Sequence, residues 1–132
     1  MKTLMILHEV FMVVAEVLII LGVITARKKP TSKWLNQHKL FVTFGILFVF
    51  ISAVCIYTFK ETHSYPHFSS FHALIGVLGI FLIATNYLVG FGLVKNLINK
   101  KVIHHTIGRL TAFVIIIAAG AGVVRFIQIL NS

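Results

Sequence analysis

Between Phe71 and Gly92 the chain reads FHALIGVLGIFLIATNYLVGFG, 22 residues without a Lys, Arg, Asp or Glu. About 20 apolar residues at about 1.5 Å each cross a hydrocarbon core of roughly 30 Å, and lipid requires every backbone polar group to be satisfied within the segment. The stretch therefore reads as a membrane helix. His72 stands at its entry. Gly76 follows one turn on, on the same face, where a missing side chain lets a flat group approach the backbone.

Three similar runs accompany it. The first extends from about Leu4 to Ala26, broken only by His8, Glu9 and Glu16. Its length, its two acidic residues and the lack of a small-residue cleavage site before Arg27 argue against a secretory signal. The second runs from about Asn36 to Phe59, the third from about Ser69 to Val94, and the fourth over 103–129. Short polar segments join them: RKKPTSKWL, KETHSYPHF and KNLINKKVI. Four helices with short loops run up, down, up, down. The expected fold class is an all-α membrane protein, a four-helix transmembrane bundle forming a single domain over 1–132. Composition agrees, since 58% hydrophobic residues, 11% charged residues and a mean hydropathy of +0.99 exclude a water-soluble core. The formal charge of +9 lies beside the apolar spans, where anionic lipid head groups rather than nucleic acid are the counter-charge. Cys55 has no second cysteine to pair with and reads as a packing residue, and Phe44, Phe48 and Phe50 as packing or lipid contacts.

Lys and Arg counts set the orientation, because basic flanks stay on the cytoplasmic side. Arg27, Lys28, Lys29, Lys33, Lys39, Lys95, Lys100, Lys101 and Arg109 lie on the side of the first and third loops, against Lys2, Lys60 and Arg125 on the other. The expectation is a multi-pass protein of the cell membrane with both termini on the non-cytoplasmic side. A homodimer is one assembly open to such a chain.

Each helix begins with a histidine: His8, His38, His72, and His104 or His105. Alternation puts His8 and His72 near the outer leaflet and the others near the inner one. A bis-histidyl haem needs two imidazole nitrogens in line through the iron, with apolar walls around a planar slot. Interfacial polar histidines are the plain alternative. His104 leads a face with Gly108, Ala112, Ala119 and Gly122, a small-residue stripe suited to close packing or a porphyrin. His105 leads instead to Arg109.

The third helix, His72 with Gly76 and then Tyr87-Leu88-Val89-Gly90-Phe91, resembles the corresponding helix of the cytochrome b561 family, as do His8 with Met12, the serine-containing lead from Ser69 to His72, and His104 with Gly108. Glu9 stands where the family has proline, and the second helix offers only His38 where the family often has two histidines. The resemblance implies a transmembrane electron carrier, a trans-membrane oxidoreductase if it counts as an enzyme, with two haem b groups. The outer haem would take His8 and His72 as iron ligands, the inner His38 and His104. It also implies small-molecule donors and acceptors. Ascorbate, with quinol as competitor, would be the inner donor, meeting Arg27, Lys28, Lys29 and Lys33; His63 and His67 would meet an outer acceptor.

Intramembrane charge costs about 2.5–3.5 kcal/mol at a helix centre on insertion scales. Arg109 and Arg125 either snorkel to the membrane faces or pair with haem propionates, inner and outer respectively. Asn86 reads as a hydrogen-bonding group between helices. A different reading makes Glu16 the proton and cation site of a small multidrug-type proton-coupled transporter. A third makes the chain a non-catalytic subunit of a larger membrane complex.

Overall fold

The computed structural model describes residues 3–130, apart from the side chains of 129 and 130. Lys2, counted above with the outer side, lies outside them. Four helices account for most of the chain: α1 (Thr3–Lys28), α2 (Trp34–Thr62), α3 (Phe71–Val94) and α4 (Lys101–Leu130). All four are long and apolar enough to cross a membrane. The all-α class with four membrane-length helices is the one expected from the apolar runs.

Local chemistry sets the helix ends. α3 begins at Phe71 rather than Ser69 because Ser70, in extended conformation, caps it by accepting from the Ala73 amide at 3.2 Å. Two helices stop in Schellman turns. At the end of α2, Ser64 takes a positive φ of 55°, and the Tyr65 amide donates back to the Lys60 carbonyl at 3.0 Å. At the end of α3, Asn96 does the same with φ 57°, and the Leu97 amide donates to Gly92 at 2.8 Å.

The chain divides into two compact units, Met1–Pro66 and His67–Ser132, each a helical hairpin. In the first, His8, Ala15 and Gly22 are buried seven residues apart on α1. They oppose Ser52, Gly45 and His38, seven apart on α2, in antiparallel register. A seven-residue period keeps one seam facing one partner helix. Small residues bring the backbones close: a Cβ on Gly45 would lie 3.2 Å from the Ala15 carbonyl oxygen and 2.7 Å from Ile19, and one on Gly22 would lie 2.8 Å from Val42. Phe48 stacks on Phe11 with ring centroids 5.8 Å apart, whereas Phe44 and Phe50 are exposed.

The second hairpin repeats the spacing. His72, Gly79 and Asn86 recur at seven on α3, and His104, Thr111 and Ala118 on α4. Gly79, Ile83, Thr111, Val114 and Ala118 are buried along this seam. The small-residue stripe expected after His104 is only partly right. Gly108 and Gly122 do face α3, but Ala112 is exposed, because the seam passes through Thr111 instead.

Candidate functional site

In the first hairpin the two histidines sit at opposite ends of the seam. The His8 ring is buried, and its Nδ1–H donates to the Ser52 carbonyl at 3.1 Å and to Ser52 Oγ at 2.7 Å. The Ser52 hydroxyl donates in turn to the His8 carbonyl at 3.0 Å. At the other end His38 Nδ1–H donates to the Gly22 carbonyl at 2.8 Å. A carbonyl can only accept, so in both rings Nδ1 carries the proton and Nε2 the lone pair. A metal-ligating histidine is held in this way, its outer N–H bound by a carbonyl that fixes tautomer and ring plane.

The second hairpin holds its rings against α3 and α4 in a related way. His72 Nδ1–H donates to the Ala118 carbonyl at 3.0 Å. A Cβ on Gly122 would come within 2.9 Å of the His72 ring, and one on Gly90 within 3.0 Å of the His104 ring. These two glycines are seats for imidazoles. Of the two adjacent histidines, His104 is half-buried against Gly90 while His105 is exposed. The residues fit a haem iron: three rings present the same tautomer, fixed by the facing helix, and two rest on glycine. Gly76 differs, since a Cβ there would meet no atom of the described residues within 4 Å. Packing of its own hairpin does not require glycine at that position.

Arg125 and His72 line one shallow cavity of about 320 Å³ at the junction of the α3 N-terminus and the end of α4, with Ser70 and Gln128. Arg125 donates to Gln128 Oε1 at 3.4 Å. A cation beside an imidazole at this end of the hairpin would suit a haem propionate. Arg109 is exposed, as are Lys28, Lys29 and Lys33. Lys29 also closes the first turn, with its amide donating to the Thr25 carbonyl at 2.9 Å and its ammonium 5.1 Å from the centroid of the Trp34 ring. His63 secures the end of α2, where its Nδ1–H donates to the Phe59 carbonyl at 2.8 Å and its ring clusters with Phe59 and Tyr65, which also contact each other. His67 lies against Phe68, their centroids 6.3 Å apart, in the other unit.

Sequence reasoning missed Ser52, Gly22, Ala118 and Gly90, which hold or seat the rings. Seven-residue spacing from His38, His8 and His104 was the available signal for Ser52, Gly22 and Ala118, whereas Gly90 lies off that period.

The family model described as eukaryotic cytochrome b561 matches residues 2–126. No curated protein and no solved structure matches the chain.

Proposed function

The chain belongs to the cytochrome b561 family, and from that premise we propose that it carries electrons across a membrane through two bis-histidyl haems, the outer on His8 and His72 and the inner on His38 and His104. Family membership makes it a haem-binding membrane protein of electron transport; the number of haems, their ligands and the substrates are our reading. One observation carries the assignment. Within each hairpin the two histidines lie at opposite ends of a seam. His38 meets Gly22, which is 14 residues, or roughly 20 Å, along α1 from His8. Two rings so far apart do not share one iron. Each bis-histidyl site then takes one ring from each hairpin, as the two halves of a single four-helix domain would supply.

Bound haem supplies reversible one-electron chemistry at iron, tuned by axial ligands and surrounding polarity. The chain's part is to hold the rings. Peptide carbonyls of Ser52, Gly22 and Ala118 keep Nε2 as the donor nitrogen and fix the planes of His8, His38 and His72, while Gly90 and Gly122 set how closely His104 and His72 approach the facing helix. Arg125 supplies a positive charge at the His72 end for a propionate, and Arg109 does so near His104. Arg27, Lys28, Lys29 and Lys33 form the inner basic segment that an anionic donor such as ascorbate would meet, with quinol as competitor. An outer acceptor would meet His67 and the exposed edge of His63. The basic bias puts both termini on the non-cytoplasmic side of the cell membrane.

Haem stoichiometry and reduced-minus-oxidised spectra of the purified protein test this reading, together with electron transfer into reductant-free vesicles. Two low-spin bis-histidyl haems per chain and transfer across the bilayer are expected. A colourless protein after haem-sufficient expression would overturn it, and would favour a transporter built on Glu16.

A further inference from the structure

The repeat between the hairpins carries a matched exchange at one place on the seam, where Gly22 and Val42 become Asn86 and Gly108. In the first hairpin Gly22 lies against Val42, a Cβ on the glycine falling 2.8 Å from the valine methyl. The positions related by the repeat in the second hairpin are Asn86 and Gly108. There the large residue is on the first helix and the glycine on the second, with a Cβ on Gly108 falling 3.2 Å from Asn86 Nδ2. The large residue has become polar.

Asn86 Oδ1 is a buried acceptor with no hydrogen-bond partner among the described residues. Leaving such a group unsatisfied costs about 1–3 kcal/mol, so its presence asks for a donor. The His104 imidazole faces the next turn of the same seam. Gly108, opposite Asn86, is one turn from His104 on α4. Gly90, opposite His104, is one turn from Asn86 on α3, and a Cβ on it would lie 3.3 Å from His104 Nδ1. That nitrogen is itself buried, and it and Asn86 Oδ1 are not hydrogen-bonded to each other in this structure. In the first hairpin the equivalent ring, His38, donates to the backbone of Gly22, the residue Asn86 replaces.

We propose that Asn86 becomes the positioning residue of His104 when the ring takes up its ligating orientation, its side-chain oxygen then accepting the Nδ1–H in the role that the Gly22 carbonyl plays for His38. The inference rests on the haem reading. An acceptor on Nδ1–H holds the ring plane and makes Nε2 a stronger donor, which favours ferric over ferrous iron. Replacing Asn86 by an apolar residue of similar size should raise the midpoint potential of one haem only, the haem that His104→Ala removes.

Potentiometric titration and ferric electron paramagnetic resonance of Asn86→Leu and Asn86→Gln, beside wild type, test this. In Asn86→Leu the His104 haem should titrate at higher potential with altered g values and bind about 10-fold more weakly. The other haem should not change, and Asn86→Gln should restore part of the shift. A merely structural asparagine would lower thermal stability without moving one potential against the other. Unmoved midpoints and g values with both haems bound, or an equal shift in both, would overturn the role of Asn86. If Asn86→Leu does not accumulate, Asn86→Ala is judged by the same criteria. A haem-free wild type would overturn the haem reading and this inference with it, whereas a haem-loaded wild type with an unresponsive Asn86 variant overturns the inference alone.

Discussion

In the first hairpin Gly22 and Gly45 bring helix against helix, their missing side chains filled by Val42 and by Ile19 with the Ala15 backbone, whereas in the second Gly90 and Gly122 make room for imidazole rings. The two hairpins share a seven-residue seam and a histidine near the start of each helix. They spend their glycines differently. Close packing holds the first together, so its histidines reach backbone carbonyls across a narrow gap. The second is built around its polar side chains. Glycine substitutions should therefore damage stability in the first hairpin and ligand geometry in the second.

The largest effect should come from the ring seats. Gly90→Val and Gly122→Val place branched side chains where even a Cβ lies 3.0 and 2.9 Å from the rings. Each should weaken one haem by about 10–100-fold, judged by the scale for disturbed ligand surroundings, and spare the other. Haem titration of each purified variant reads this directly. Equal loss of both haems would mean that the glycines support the fold as a whole.

Gly45→Val should act on stability first. It forces branched atoms into Ile19 and the Ala15 carbonyl, and overpacking of this kind costs about 1–3 kcal/mol. Thermal unfolding in detergent measures it, with the ratio of the two haems expected to stay at its wild-type value. A variant with wild-type stability and one missing haem would erase the contrast between the hairpins.

Ser52→Ala sharpens the same contrast. The variant loses the hydroxyl that donates to the His8 carbonyl, but His8 keeps the Ser52 carbonyl as an acceptor. A loss of about 1 kcal/mol in stability is expected, with the outer haem still bound. Loss of that haem would show that the hydroxyl, not the peptide carbonyl, fixes the ring.

The smallest effect on folding belongs to Gly76→Ala. The added methyl meets nothing within 4 Å among the described residues, so stability should change by no more than about 0.5 kcal/mol. A haem plane beside His72 would feel it. Weaker outer-haem binding at unchanged melting temperature is the expected pair of results, and unaltered haem affinity would remove Gly76 from the site.

Much of this was legible before the structure. Apolar runs fix membrane helices because lipid leaves the backbone no other partner, and the histidines at their starts stand out against such runs. The ring partners were hidden for a physical reason: carbonyls of Ser52, Gly22 and Ala118 belong to the backbone, which every residue type offers alike. The turns were equally hard to see. Ser64 and Asn96 take left-handed conformations where glycine is the usual signal. His63, grouped with a substrate role by its loop position, proved to be tied to the end of α2, which residue type alone does not disclose.

In the proposed assignment each ring is held within its own hairpin, and each iron takes one histidine from α1 or α2 and one from α3 or α4. Haem content of double variants tests it most directly. His8→Ala with His72→Ala should retain one haem per chain, with the spectrum left by either single variant. His8→Ala with His38→Ala, both in one hairpin, should retain none. The reverse outcome, one haem surviving when a single hairpin is stripped of both histidines and none when one is taken from each, would contradict the account.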